Sequence, residues 1–182
     1  MKLAWIDVET TGLEPKNDLL LEIAVVVTDT RMNELSRFSI VIGHSPLNII
    51  ATKMSNYVTD LHLSNGLIEE TIKPENPTTK EAYYKIKTWL TNLIHENSTN
   101  EPIRMAGKQC TFDYKFLPKE LTNLLERNGE KHFDIDTLVA WFPDLYKKMN
   151  KVGRQHRALS DLLQDIAFCK HLIDNKLVKI EV

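Results

Sequence analysis

With 182 residues, the chain is long enough for one domain, 1–182, with a substantial core, and its 42% hydrophobic and 26% charged residues are those of a soluble globular protein. A formal net charge of -2 neither announces nor excludes a nucleic-acid partner, so local charge must decide. Two cysteines, Cys110 and Cys169, are too few for a disulfide framework or a zinc site of their own, Asp7 and Glu9 interrupt the N-terminal apolar stretch too early for a signal peptide, and no run reaches the roughly 20 apolar residues of a membrane span; a cytoplasmic location is expected.

The first predicted strand runs from Lys2 to Val8, and Thr10, Thr11 and Gly12 turn the chain after it. The run LLLEIAVVVTD predicts a central second strand, because Ile23, Val25, Val26 and Val27 are β-branched. A turn at Asp29 to Asn33 leads to a third strand, Leu35 to Ile42. Pro46 and Asn48 break the pattern, and Ile49 to Ile72 reads as short helices. Thr78 and Glu81 have capping-box spacing and open a helix with the stripe Tyr83, Ile86, Trp89, Leu90, Leu93 and Ile94. Ile103 to Ala106 is a short strand entering Gly107, and Phe112 to Arg127 is helical with a break at Pro118. A short strand, His132 to Ile135, precedes a helix from Thr137 with Asp136 as its N-cap. Pro143 interrupts that helix, Lys147 to Arg157 reads as a basic loop, and a final helix starts at about Ala158. Three strands followed by helices alternating with short strands predict an α/β fold, with a mixed sheet and helices on both faces.

Residues i and i+2 of a strand share a face, so Asp7 and Glu9 project together. Two like charges at the end of a buried strand are costly unless something neutralises them, and a divalent cation does so most simply. Asp113 follows the Gly107 loop at a helix start; His156 and Asp161 flank the entrance of the last helix. Each has a bland reading: a lone aspartate at a helix start is more often a cap, and a lone histidine in a basic loop is usually a surface residue. Glu22 suits a structural pairing with a base better than a ligand role. Cys110 and Cys169 suit packing better than nucleophilic chemistry.

The set changes these readings. D-x-E near the N-terminus, an aspartate about a hundred residues later, and H-x4-D near the C-terminus resemble the DEDDh 3′→5′ exonucleases. DVETTGL resembles their first motif and HRALSD their last. MSNYVTDLHLSNGLIEE, GKQCTFDYKFLPKEL and HFDIDTL are similar to the oligoribonuclease branch, so the resemblance covers nearly the whole chain. It implies a ribonuclease-H-like mixed five-stranded sheet flanked by helices. It implies a catalytic set of Asp7, Glu9, Asp113, His156 and Asp161. The four carboxylates would hold two divalent cations, Mg²⁺ or Mn²⁺, and His156 would act as general base, a task suited to an imidazole. Thr10 and Leu13 would touch the substrate's 3′ end, Tyr57 would stack on a base, and His62, Gln109 and Lys131 would complete the substrate contacts. The implied partner is short single-stranded RNA, possibly single-stranded DNA, with a homodimer as the working form. Lys147, Lys148, Lys151, Arg154 and Arg157 would meet the polyanion.

The match departs in places. Thr10 stands where oligoribonucleases usually have methionine, Gln109 and Asp136 where they have serines, and Glu130 and Lys131 where a tyrosine and an arginine cap the substrate's 5′ phosphate across the dimer. A glutamate there would repel that phosphate, so a relaxed length preference is expected. The alternatives are a DNA-directed exonuclease of proofreading or repair type, and a non-catalytic nucleic-acid-binding module on the same fold.

Overall fold

The computed structural model describes residues 1–96, 103–125, 132–150, 153 and 155–179. Its centre is a five-stranded sheet. The strands are β1 (Lys2–Thr10), β2 (Leu20–Asp29), β3 (Glu34–Val41), β4 (Ile103–Gly107) and β5 (Phe133–Asp134), in the order β3-β2-β1-β4-β5. β1, β2 and β3 pair antiparallel, while β4 and β5 add parallel to β1. This is the mixed, flanked α/β sheet that the sequence predicts.

Alternation along β1 sorts the two faces. Ala4, Ile6 and Val8 enter one buried core, together with Ile86 and Leu90 of α4 (Thr79–Glu96) and with Phe116 and Leu121 from α5 (Cys110–Phe116) and α6 (Lys119–Leu125). Leu3 and Trp5 enter the other core, with Leu162, Ile166, Cys169 and Leu172 of α9 (Ala158–Asp174). Asp7 and Glu9 continue the Leu3–Trp5 series. The pleat therefore directs both carboxylates to the face that α9 covers. The capping box forms as read: Thr78 N–H donates to Glu81 Oε2 at 2.8 Å, and Glu81 N–H donates to Thr78 Oγ1 at 3.4 Å. Caps of this kind contribute about 1 kcal/mol.

Three local expectations need correction. The short helices begin earlier than Ile49: α1 is Pro46–Ala51, because Ser45 caps it and proline is well placed in a first turn. α2 (Asn56–Ser64) and α3 (Leu67–Thr71) follow. Asp136 is not an N-cap. It is the first residue of α7 (Asp136–Trp141), and its own N–H is accepted by Asp134 Oδ1 at 2.9 Å. Lys147 and Lys148 lie on α8 (Pro143–Met149) rather than in a loop: the helix from Asp136 stops at Trp141, as the interruption at Pro143 predicts, but the proline then opens a new helix.

Candidate active site

Five elements converge where β1 ends. Asp7 and Glu9 come from β1, Gln109 from the turn after β4, Asp113 from α5, His156 from the loop before α9, and Asp161 from the first turn of α9. All six line one small pocket of about 160 Å³, together with Val8, Lys108 and Phe112. The structure thus brings together the whole predicted catalytic set.

Backbone donors from other elements orient two of the carboxylates. Val8 N–H donates to Asp113 Oδ1 at 3.0 Å, which ties Asp113 to β1. Gln155 N–H donates to Asp161 Oδ1 at 3.1 Å. Glu9, Asp113 and Asp161 are buried. Burying several carboxylates together is unfavourable without a neutralising charge. Glu9, His156 and Asp161 each offer a ligand atom within 4.8 Å of the others, so the donor set fits a hard divalent cation.

The turn around Gln109 is built for close approach. A side chain at Gly107 would meet the Ile6 carbonyl at 2.9 Å, so only glycine lets β4 end this near β1. Gln109 then takes a left-handed conformation (φ 56°). Asp134 stabilises this turn: its carboxylate accepts from Gln109 N–H at 3.3 Å and Cys110 N–H at 3.2 Å. The register that sets Gly107 opposite Asp134 makes this possible. The sequence reading passed over Asp134; an aspartate ending a short strand was the available signal. It also passed over Lys108, whose Nζ sits 5.6 Å from the Tyr146 ring centroid on the pocket's rim.

The substrate contacts implied by resemblance are placed unevenly. Leu13 and Tyr57 are 72% and 69% exposed, so their apolar surfaces face solvent. Thr10 is buried, and its hydroxyl donates to the Gly12 carbonyl at 2.7 Å, holding the turn. His62 is buried beneath that turn, with Nε2 at 3.0 Å from the Thr10 carbonyl oxygen. Its Nε2 also lies 4.0 Å from Glu9 Oε2, a distance that admits an ion pair. Burial holds the imidazole below its ordinary value, however, so a neutral ring donating to Thr10 describes it better. Lys131 falls outside the described residues, as do Lys151 and Arg154 of the basic stretch.

Arg157 is not a phosphate-binding cation. Its Nε donates to Glu22 Oε2 at 3.1 Å and its Nη2 to Glu22 Oε1 at 3.2 Å, while Nη2 also reaches Glu70 Oε2 at 2.7 Å. Ala158 N–H completes the Glu22 shell at 3.0 Å. A fork matched to two carboxylates favours this arrangement over an outward pose. Glu22 has the structural role expected of it. Both cysteines are buried, and burial pushes the Cys169 thiol up to about 12 and raises Cys110 as well. Neither is a nucleophile poised for chemistry.

The RNase T exonuclease family model matches residues 4–168. The oligoribonuclease of Haemophilus ducreyi is 32% identical over 168 residues, covering 90% of this chain and 88% of that protein. The oligoribonuclease of Corynebacterium glutamicum is 30% identical, covering 91% and 75%. Among solved structures, E. coli exonuclease I in complex with a dT13 oligonucleotide superposes with a TM-score of 0.67 at 15% identity, over 94% of this chain and 40% of that one. That likeness is one of fold: the chain spans about two fifths of exonuclease I. No described helix is long and apolar enough to cross a membrane. A carboxylate-lined pocket at the end of β1, a sheet shared with exonuclease I and a family model spanning residues 4–168 lead to one conclusion: the chain belongs to the RNase T exonuclease family, is similar within it to the oligoribonucleases, and is a 3′→5′ exonuclease.

Proposed function

We propose that the protein trims short single-stranded RNA from its 3′ end and releases nucleoside 5′-monophosphates. The observation that carries this reading is the convergence of Asp7, Glu9, Asp113, Asp161 and His156 on one pocket. The four carboxylates are the residues that would hold two divalent cations, Mg²⁺ or Mn²⁺. When bound, those cations supply Lewis-acid activation and charge neutralisation at the scissile phosphate. Hard oxygen donors suit these ions better than softer metals.

The chain's own residues carry the remaining work. Val8 N–H and Gln155 N–H fix Asp113 and Asp161, so less ordering is needed when substrate arrives. His156 takes the proton of the attacking water, a reading supported by its side chain lining the same pocket as the carboxylates. Lys108 is a cation on the rim, positioned to attract the polyanion. Leu13 and Tyr57 offer exposed apolar surface to the terminal bases, and stacking on an aromatic contributes about 1–3 kcal/mol per base. Thr10, His62 and Gln109 shape the turns against which the 3′ end is seated, and Lys131 contributes charge on the 5′ side. The buried, reduced cysteines fit a cytoplasmic setting. A homodimer is the proposed assembly, checked by light scattering.

The substrate reading is tested with 5′-labelled dinucleotides, an RNA ladder and single-stranded DNA in Mn²⁺. RNA shortened stepwise from the 3′ end, with turnover extending past dinucleotides, is expected. Activity confined to dinucleotides contradicts the relaxed length. Faster turnover of DNA than RNA moves the protein to the DNA-directed class.

A further inference from the structure

The loop carrying His156 is held by three other elements. Asn65, the residue that closes α2, donates from Nδ2 to the His156 carbonyl at 2.7 Å and to the Gln155 carbonyl at 3.3 Å. Its Oδ1 accepts Leu67 N–H at 3.0 Å, so the side-chain amide cannot turn over without losing bonds at both ends. On the other side of His156, Arg157 is forked onto Glu22 of β2 and Glu70 of α3. Between these anchors His156 has φ 50°, a left-handed conformation that a side chain adopts only when its surroundings impose it. The two carbonyls gripped by Asn65 belong to this residue and the one before it. Without that grip the peptide is freer to relax to an ordinary conformation, and the imidazole swings with it.

We propose that Asn65 is the positioning residue for His156, tying the base's backbone to the end of the helix that presents Tyr57. The proposal rests on His156 being the general base and gives Asn65 no contact with substrate. Proton transfer needs the base within hydrogen-bond reach of the water. Asn65 maintains that reach from α2, so the surface that receives a substrate base and the group that takes the proton share one rigid connection.

Asn65→Asp separates the two bonds of this side chain. It keeps an acceptor for Leu67 N–H and turns an oxygen, in place of a donor, toward the two carbonyls. The experiment measures kcat and KM on one short 5′-labelled RNA in Mn²⁺, Mn²⁺ affinity by titration, and Tm. It compares the wild type, Asn65→Asp, His156→Ala and the double variant. Asn65→Asp is expected to lower kcat roughly 10- to 100-fold, with KM and Mn²⁺ affinity within about twofold of wild type. In the His156→Ala background the same change is expected to cost less than about twofold. Equal losses in both backgrounds, an unchanged kcat, or a loss carried by KM or Mn²⁺ affinity overturns the proposal. Where His156→Ala turns over too slowly to measure, the division between kcat and Mn²⁺ affinity in Asn65→Asp decides. Where Asn65→Asp does not fold, Asn65→Ser carries the same test. Wild-type turnover by His156→Ala is a separate failure: it removes the base assignment itself, and needs no Asn65 variant to be seen.

Discussion

Glu9 and Glu22 sit directly opposite each other on β1 and β2, and both are buried, at 8% and 3% exposure. Their surroundings differ completely. Glu22 meets a cation supplied by the chain: Arg157 forks onto it and Ala158 N–H donates to it. Glu9 faces a pocket wall shared with Asp7, Asp113, Asp161 and His156. One carboxylate is neutralised by the fold; the other is gathered among like charges. A buried acid beside its own arginine is architecture, whereas a buried acid among other acids is a site prepared for a charge from outside.

Substitutions on the two sides should therefore behave oppositely. In order of expected size on stability, Glu22→Ala comes first. It strips a buried partner from Arg157, whose side chain is itself only 25% exposed, and should cost about 3 kcal/mol by denaturant titration. Glu9→Gln should raise the stability of the metal-free protein by about 1 kcal/mol, because it relieves repulsion among carboxylates, and should show a smaller rise in Tm on adding Mn²⁺ than the wild type does. Glu70→Gln weakens the outer half of the Arg157 fork. Glu70 is 37% exposed at this contact, so water screens the pair and the loss should stay below about 1 kcal/mol.

The smallest effect lies at the far end of the sheet. Burial is the largest influence on Asp29 and raises it. The Asn33 side-chain amide, the N–H groups of Asn33 and Arg31, and Lys170 together pull the carboxyl below its usual 3.8. A carboxyl depressed in the folded state contributes stability above the unfolded value and loses it as pH falls through the folded one. Tm should therefore fall less steeply below pH 3.8 in Asp29→Asn than in wild type. A parallel fall in both proteins contradicts that.

The candidate site was legible because its motifs resemble those of a known family, and part of that resemblance is carried by local spacing. The i, i+2 pair at Asp7 and Glu9, the Thr78–Glu81 box and the apolar stripe of α4 are local patterns, and local patterns survive in one dimension. What was lost depends on contacts between distant residues. Arg157 read as a substrate cation because lysines precede it in the chain, yet its partners Glu22 and Glu70 lie 135 and 87 positions away. Asn65 grips a carbonyl 91 positions distant, and nothing near it in the chain signals that. Asp134 and Asp136 stand two residues apart, and the register beside Gly107 is what brings Asp134 to the N–H groups of Gln109 and Cys110.

The proposed function assigns the carboxylates closing β1 to hydrolysis and not to folding. It is tested most directly by incubating wild type and Asp7→Ala with a 5′-labelled RNA oligonucleotide in Mn²⁺, alongside thermal unfolding of both. Stepwise 3′ shortening by the wild type and none by Asp7→Ala is expected, with a Tm for the variant at least as high as that of the parent. Wild-type turnover by a folded Asp7→Ala would contradict it.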